Sequence, residues 1–492
     1  MTTTTSSSNR EQPADSTWHA ARLIPTSGIN GADEQERRAT SALLAVMSAV
    51  REFGRGLIRP LGAPAGNVET FIEVPFQHGD RRIFPDGLVR VSRGQKQWTA
   101  LLEVKTGSNV LRADQLEPYL DVAKEHGFDA LITISNEIPP IPGTHPTTVD
   151  KRKLKKVALH HWSWSQVLTE AILHKEHRGV SDPDQAWILG ELIRYLEHPR
   201  SGALEFDDMG SSWVPVRNSV TSGTLRATDP NVAEVVQRFD ALVRYVGLQL
   251  GRRLGTEVTL CLTRKELAEP STRASGLAKH LEDSGVMAGA IRIPDAVGPL
   301  NLTVDLRSNQ VRCHIDIDAP REGRARTRVN WLVRQLRRAP DDLRIEASVL
   351  HGRGPGTTGL LGAVRQSADL LIQDPTKDLK NFRIIRATPL GTKRGATRGS
   401  FVASVTEAVD EFYENVVQYL KAWSATPPKY REDLPAEVIP QDIRPALVST
   451  AMSSQDGAED VPNESSNESQ SCERQAAPPV DLQRDLSPEL LG

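Results

Sequence analysis

The stretch RRIFPDGLVRVSRGQKQWTALLEVKTG, residues 81–107, decides how the first part of this chain folds. With residues 82–92 and 97–105 as the two arms of a hairpin turning on Arg93-Gly94-Gln95-Lys96, paired positions sum to 189, and Asp86 falls opposite Glu103. Side chains alternate across a strand, so Glu103 and Lys105 share one face while Val104 points the other way, into a core. Two carboxylates and one ammonium then converge on a single patch. Like charges directly opposite each other destabilise a sheet, so the arrangement makes physical sense when a cation lies between them. A hard divalent ion such as Mg²⁺ takes oxygen ligands and keeps waters for chemistry. The competing reading is a solvated strand face with an ordinary ion pair, and for Asp86 a turn-favouring residue after proline.

Working outward, DEQERRATSALLAVMSAVREF (33–53) places Leu43, Leu44, Met47 and Val50 at helical spacing and predicts one long amphipathic helix. After the breaker GAPAGN, ETFIEVPF has the β-branched and aromatic content of a strand leading into the hairpin. Residues 112–126 predict a second helix. Asp114 and Glu117 have capping-box spacing, which starts that helix at Asp114 and puts Pro118 in its first turn. FDALITIS and KVALHHWSW then predict buried strands, followed by the helix SQVLTEAILHK. In the second of these strands Trp162 and Trp164 read as core residues rather than a base-stacking platform. The order helix, three-strand meander, helix, strand, strand, helix predicts a mixed sheet flanked by helices, an α/β core.

These residues resemble the PD-(D/E)xK nuclease superfamily of restriction-endonuclease-like fold. Pro85-Asp86 matches the PD element, Glu103-Val104-Lys105 matches (D/E)xK, and Gln115-Leu116-Glu117-Pro118-Tyr119 is similar to the QxxxY motif of the RecB-like branch. The likeness covers roughly residues 30–175, and its weight lies in the order of the motifs rather than in any one of them. It implies that Asp86 and Glu103 are metal ligands, with the Val104 carbonyl as a further ligand and Mg²⁺ or Mn²⁺ as the ion. Lys105 would orient or help deprotonate the attacking water. Gln115 and Tyr119, four apart on one helical face, would sit near the mouth of the site, although Tyr119 also belongs to a core-facing stripe with Leu116, Leu120 and Ala123. The superfamily often adds a glutamate from its first helix. Glu36 is the choice here, with Glu34, Glu69 and Glu73 as competitors.

Length and charge bound the remainder. A chain of 492 residues exceeds one core on the usual prior. The expected layout is a disordered Thr/Ser-rich N-terminus (1–17), the nuclease-like α/β domain (18–200), a Gly/Ser/Thr/Asp-rich linker (201–230), a separate α+β domain (231–424) and a disordered acidic tail (425–492). Cys261, Cys313 and Cys472 are odd in number and lack CxxC spacing, so neither a disulfide framework nor a zinc site is indicated. No apolar run approaches the roughly 20 residues that span a bilayer, and the polar N-terminus lacks the pattern of a signal peptide. The expectation is a cytoplasmic protein with no membrane partner.

The net charge is only −3, but it is unevenly spread. Residues 321–398 hold 17 Lys/Arg against 7 Asp/Glu, and residues 429–492 hold 5 against 13. Such asymmetry suggests a polyanion-facing surface and an acidic tail that could meet a protein partner. Within the second region, Asn231–Leu250 and residues 327–338 predict helices, and NLTVDL and VRCHIDI a hairpin turning on Arg307–Gln310. Gly354, Gly356 and Gly359 spell GxGxxG between a strand-like and a helix-like segment, but Pro355 interrupts the first turn and no βαβ unit surrounds it. The expected function is therefore metal-dependent hydrolysis of nucleic acid, with DNA as the expected substrate. The second region would serve recognition or a partner, and a homodimer is favoured if both strands are cut. A non-catalytic nucleic-acid-binding or regulatory protein on the same fold is the alternative.

Overall fold

A computed structural model describes residues 19–20, 34–139, 141–203, 205–352, 354–395 and 399–425. The expectations for residues 1–17 and for the acidic tail from 426 onward lie outside these residues, as do Cys472, Arg353 and Arg398.

The chain opens with a two-residue strand, β1 (His19–Ala20), and two consecutive helices, α1 (Glu34–Ala49) and α2 (Arg51–Ile58). The single helix expected over 33–53 is broken at Val50, whose backbone is extended at φ −103° and ψ 96°. Val50 still donates to Val46 and accepts from Gly54, so the break is a local kink. Next come β2 (Asn67–Ile72), β3 (Phe76–His78), β4 (Arg81–Ile83), β5 (Gly87–Arg93) and β6 (Lys96–Val104). Strands β5 and β6 pair antiparallel from Gly87↔Leu102 to Arg93↔Lys96. This is the register read from the sequence. The first arm is shorter than expected, because residues 81–83 pair with β3 in a separate two-stranded ribbon. Proline has no N–H to give to a ladder, and Phe84-Pro85 marks the break, which leaves Asp86 just beyond the last pair.

Helix α3 (Ala113–Glu125), β7 (Ala130–Ser135), β8 (Ala158–Ser163), α4 (Trp164–Ile172) and α5 (Pro183–Glu197) complete the first layer. The sheet order is β1-β2-β5-β6-β7-β8. Strands β2, β5 and β6 form an antiparallel meander, whereas β6, β7 and β8 run parallel. One face packs Leu102 and Val104 against residues of α1, α2, α4 and α5. The opposite face packs Leu88, Leu101 and Leu131 under α3. By alternation, Glu103 falls on the α3 face.

Helices α6 (Trp213–Thr221) and α7 (Pro230–Leu254) lead into the second sheet. Its elements are β9 (Thr259–Leu260), α8 (Arg264–Ala268), α9 (Pro270–Ser284), β10 (Val286–Arg292), β11 (Leu300–Asp305), β12 (Gln310–Asp318), α10 (Ala325–Gln335), β13 (Arg344–Val349), β14 (Thr357–Leu360), α11 (Leu361–Gln366), β15 (Leu379–Pro389) and α12 (Phe401–Asn415). The order β14-β13-β15-β12-β11-β10-β9 is antiparallel throughout. Helices α7 and α12 bury Val235, Phe239, Val405 and Phe412 in its core.

One sequence expectation for this region is corrected and one motif is disposed of. The stretch 201–230 is not a bare linker, because it carries α6, and Trp213 is fully buried with its ring centroid 4.2 Å from that of Phe401. Gly/Ser content concealed a helix held by one large aromatic anchor. The GxGxxG segment joins β13 to β14 as a hairpin, with Gly359 inside β14, so it has neither the geometry nor the helix start of a dinucleotide fingerprint. The described residues up to Ala425 form a single compact unit of mixed α/β type containing both sheets. Among the described residues, no helix is long and apolar enough to cross a membrane.

Candidate active site

Asp86 is positioned by the break at Phe84-Pro85, and its Oδ2 accepts the Val104 N–H at 2.7 Å, closing the open end of the β5–β6 hairpin. Glu103, the penultimate residue of β6, is 1% exposed. Its Oε1 accepts from Lys105 Nζ at 2.6 Å and from Gln115 Nε2 at 2.5 Å. Its Oε2 is buried and receives no donor. Lys105 lies just past the strand, with its N–H donating to Ile134 of β7 and its carbonyl accepting the Trp164 indole N–H at 2.9 Å. Its ammonium reaches Glu36 Oε2 at 3.1 Å and the Val104 carbonyl at 3.3 Å. Four elements, α1, β6, β7 and α4, thereby meet at one lysine, and α3 joins through the Gln115 bond to Glu103.

The residues singled out in the sequence divide into two groups. Asp86, Glu103, Lys105, Glu36 and Gln115 are brought together. Tyr119 is packed with its ring buried, and its hydroxyl donates to the Phe84 carbonyl at 3.4 Å, so it steadies the loop that carries Asp86. Of the competitors to Glu36, Glu34 pairs with Arg38, and Glu73 pairs with Arg37 at 3.1 Å. Glu69 is exposed on β2, opposite Arg90. The expected capping box is not formed. Helix α3 starts at Ala113, its N-cap Arg112 makes no side-chain cap bond, and Glu117 instead accepts the Asp150 N–H. Pro118 therefore stands in the second turn rather than the first.

Two contributors escaped the sequence reading. Asn109 donates to Glu36 Oε1 at 2.5 Å, but an asparagine in a post-strand loop carries no spacing signal. Trp164 was read as core, which it is at 1% exposure. Its polar N–H was the overlooked part, and buried tryptophans usually find a partner for that group.

The electrostatics of the cluster are unbalanced. Burial, reinforced by the charge on Glu36, pushes the Asp86 carboxyl from 3.8 up to about 6, against the Val104 N–H and Lys105, which favour its charged form. Burial and then the neighbouring Asp86 charge raise Glu103 well above the ordinary carboxylate range. Burial works against the Lys105 ammonium, but Glu103, Asp86 and Glu36 outweigh it and lift the lysine above its usual value. Lys105 thus remains a cation in this arrangement, suited to orienting and neutralising rather than to removing a proton. Three carboxylates facing one ammonium leave two negative charges uncompensated when all are ionised.

The donor set fits a hard divalent ion. Asp86, Glu103 and the Val104 carbonyl offer oxygen ligands only, the chemistry that suits Mg²⁺ or Mn²⁺, and the unpartnered Glu103 Oε2 is an acceptor waiting for a positive centre. Among the described residues, no three His, Cys, Asp or Glu side chains already stand close enough to grip an ion together. A ligand set here would thus draw on a backbone carbonyl and water as well as on the two carboxylates. The imidazoles of His145 and His161 form a separate group. Both rings contact Thr133 Oγ1 at 2.8 Å, and among the described residues no carboxylate pairs with either one.

Comparison with known proteins does not supply a family: no family model, curated protein or solved structure gives a significant match to the chain.

Proposed function

We propose that this chain is a metal-dependent nuclease, hydrolysing phosphodiester bonds of nucleic acid, DNA foremost, with Mg²⁺ or Mn²⁺ as cofactor. One observation carries the proposal. Asp86, Glu103, Lys105 and Glu36, drawn from three separated stretches of sequence, meet in a buried cluster short of positive charge. The order of elements around them supports it: a helix, an antiparallel meander holding Pro85-Asp86 and Glu103-Val104-Lys105, a helix holding Gln115 and Tyr119, then a parallel strand. That order is the one expected of the PD-(D/E)xK superfamily and its restriction-endonuclease-like core, which roughly residues 30–175 resemble.

In this reading, Asp86, Glu103 and the Val104 carbonyl would hold the ion. When bound, a divalent ion supplies a more acidic water and polarises a phosphoryl oxygen. The chain's own residues do the positioning. Gln115 holds Glu103 from α3, and the Phe84 carbonyl bond to Tyr119 fixes the loop before Asp86. Lys105, clamped through its backbone by Ile134 and Trp164, presents a fixed positive charge to the anionic transition state.

The second region, with its basic run, would serve recognition or a partner, though fewer cations remain available there than the composition suggests. Arg328, Arg365, Arg383, Arg386 and Arg394 are committed to Asp378, Asp341, Asp316, Glu411 and Asp208. Helix α10 and its flanks are the better contact surface, because Arg321, Arg324, Arg334 and Arg337 have no carboxylate pair among the described residues.

The test is incubation of the purified chain with linear, circular and single-stranded DNA and with RNA, in Mg²⁺, Mn²⁺ or EDTA, beside Asp86→Ala and Lys105→Ala. Metal-dependent cleavage lost in both variants is the expected result. Cleavage that survives either substitution, or that persists in EDTA, would remove the proposed mechanism.

A further inference from the structure

The short ribbon that leads to Asp86 has a packed side and a bare one. Strands β3 and β4 pair Phe76 with Ile83, Gln77 with Arg82 and His78 with Arg81. Phe76 is buried, and its ring meets those of His126 and Phe128 edge-on at 5.0 and 5.8 Å. Ile83 packs on the same apolar cluster beneath α3. Alternation puts Gln77 and Arg82 on the opposite side, and Phe84 continues it, because Arg82 lies over the Phe84 ring. All three of these residues are exposed.

Folding gives no reason for an aromatic side chain at position 84. Phe84 is 53% exposed, and its bond to Tyr119 is made by the backbone carbonyl, which any residue would supply. The Arg82 guanidinium carbon stands 5.9 Å from the ring centroid, within cation–π reach, and Arg82 has no carboxylate pair among the described residues. An exposed ring beside an exposed, unpaired guanidinium is the combination that holds single-stranded nucleic acid, with a base stacked on the ring and a phosphate on the cation.

Position ties this pair to the candidate active site. Phe84 stands two residues before Asp86, so at most roughly 7 Å of chain separates them, and the Tyr119 bond fixes that segment to α3. On the other flank Val110 is 58% exposed and directly follows Asn109, which donates to Glu36. The segments entering and leaving the cluster thus each show an apolar side chain to solvent. We infer that Phe84 stacks on a base next to the scissile bond, with Arg82 on an adjoining phosphate, so that the substrate presents an unpaired base there, as a single strand or an opened duplex end. Inside an intact duplex each base is already stacked and paired, and freeing one is costly. This substrate class rests on the nuclease reading of the neighbouring cluster.

Fluorescence anisotropy on the full chain in EDTA, with a labelled single-stranded DNA oligonucleotide and the same strand in a blunt duplex, tests this without cutting. Phe84 and Arg82 are exposed, so substitutions there leave the core intact. Phe84→Ala should weaken single-strand binding by at least about fivefold and leave duplex binding within about twofold. Phe84→Tyr should bind like the parent, and Phe84→Leu like Phe84→Ala. Arg82→Gln should weaken single-strand binding and lower its salt dependence by about one cation. A parent that binds only the duplex, a Phe84→Ala that loses nothing or loses equally on both substrates, or a Phe84→Leu that binds like the parent would each overturn the inference and leave the metal site untouched. A parent that binds no nucleic acid, and cuts none in Mg²⁺ or Mn²⁺, would remove both readings.

Discussion

Asp86→Asn should make the metal-free protein more stable while disabling its site, an outcome that an ordinary structural ion pair would not give. The Asp86 carboxyl titrates near 6 in the folded chain against 3.8 as the ordinary value, chiefly through burial, with Glu36 adding to it. A carboxyl whose pKa is raised by folding favours its neutral form in the folded state. Its contribution to stability is therefore best below pH 3.8, falls as pH rises through 3.8–6, and stays low above that window. The gap between 3.8 and about 6 corresponds to about 3 kcal/mol at neutral pH. Asp86→Asn removes the charge but keeps a carbonyl oxygen able to accept the Val104 N–H, so the hairpin end stays closed. A unit of 150–250 residues shifts by roughly 2–4 °C per kcal/mol, and the unit reaching Ala425 is larger, so the variant should melt a few °C above the parent in EDTA at pH 8. The difference should shrink toward pH 4. Added Mg²⁺ should stabilise the parent and leave the variant unmoved. Circular-dichroism melts across that pH range measure both effects. A variant that melts at or below the parent in EDTA at pH 8 would refute the reasoning, because Asp86 would then be a satisfied structural carboxylate.

Lys105→Ala should abolish cleavage and, unlike Asp86→Asn, destabilise the EDTA-treated protein by about 3–5 kcal/mol, because it strips the ammonium from a buried pair; melts at pH 8 separate the two variants. His161, pushed down to about 3 mainly by burial, contributes stability that is present above its unfolded pKa of 6.5 and drains away as pH falls toward 3. The loss should reach about 2 kcal/mol by pH 5, and His161→Gln should flatten that acid limb in denaturant titrations. Trp213→Ala, which empties a fully buried site packed against the tilted ring of Phe401, should cost about 3–5 kcal/mol and should be visible as an early unfolding transition. An exposed, tolerant residue 213 would restore the linker reading of 201–230.

The first sheet was legible because its signals are local. A four-residue turn and a two-residue side-chain period are enough to give the 189 register and to bring Asp86 to the end of the hairpin beside Glu103. Glu36 could be named only through family resemblance, since nothing in its spacing ties it to a lysine 69 residues away. In the second sheet the hairpin β11–β12 was local and legible, but β15, which lies between β12 and β13, was not. Its residues, LKNFRIIRATP, place arginines among the apolar positions. The pairing of Arg383 with Asp316 and of Arg386 with Glu411 makes that strand acceptable only once its neighbours are in place. The same pairs removed much of the basic surface that composition seemed to promise. Charge totals count side chains, whereas partners decide which of them face solvent.

A purely structural account gives the Asp86 side chain a task, though not its charge, and gives Glu103 none. Asp86 closes the hairpin by accepting the Val104 N–H, a task that an asparagine performs equally well. Glu103 performs no such task. It is buried to 1% exposure, one oxygen is shared by Lys105 and Gln115, and the other receives no donor. An apolar residue on the α3 face, continuing Leu101, would pack there without desolvating a charge. Replacing the Lys105 partnership with hydrophobic contacts is the kind of change that is often neutral or stabilising. Folding therefore gives no reason for a carboxylate at position 103, whereas a site that gathers oxygen ligands around a cation does. On the proposed reading, the residue hardest to justify by folding is one that would hold the ion.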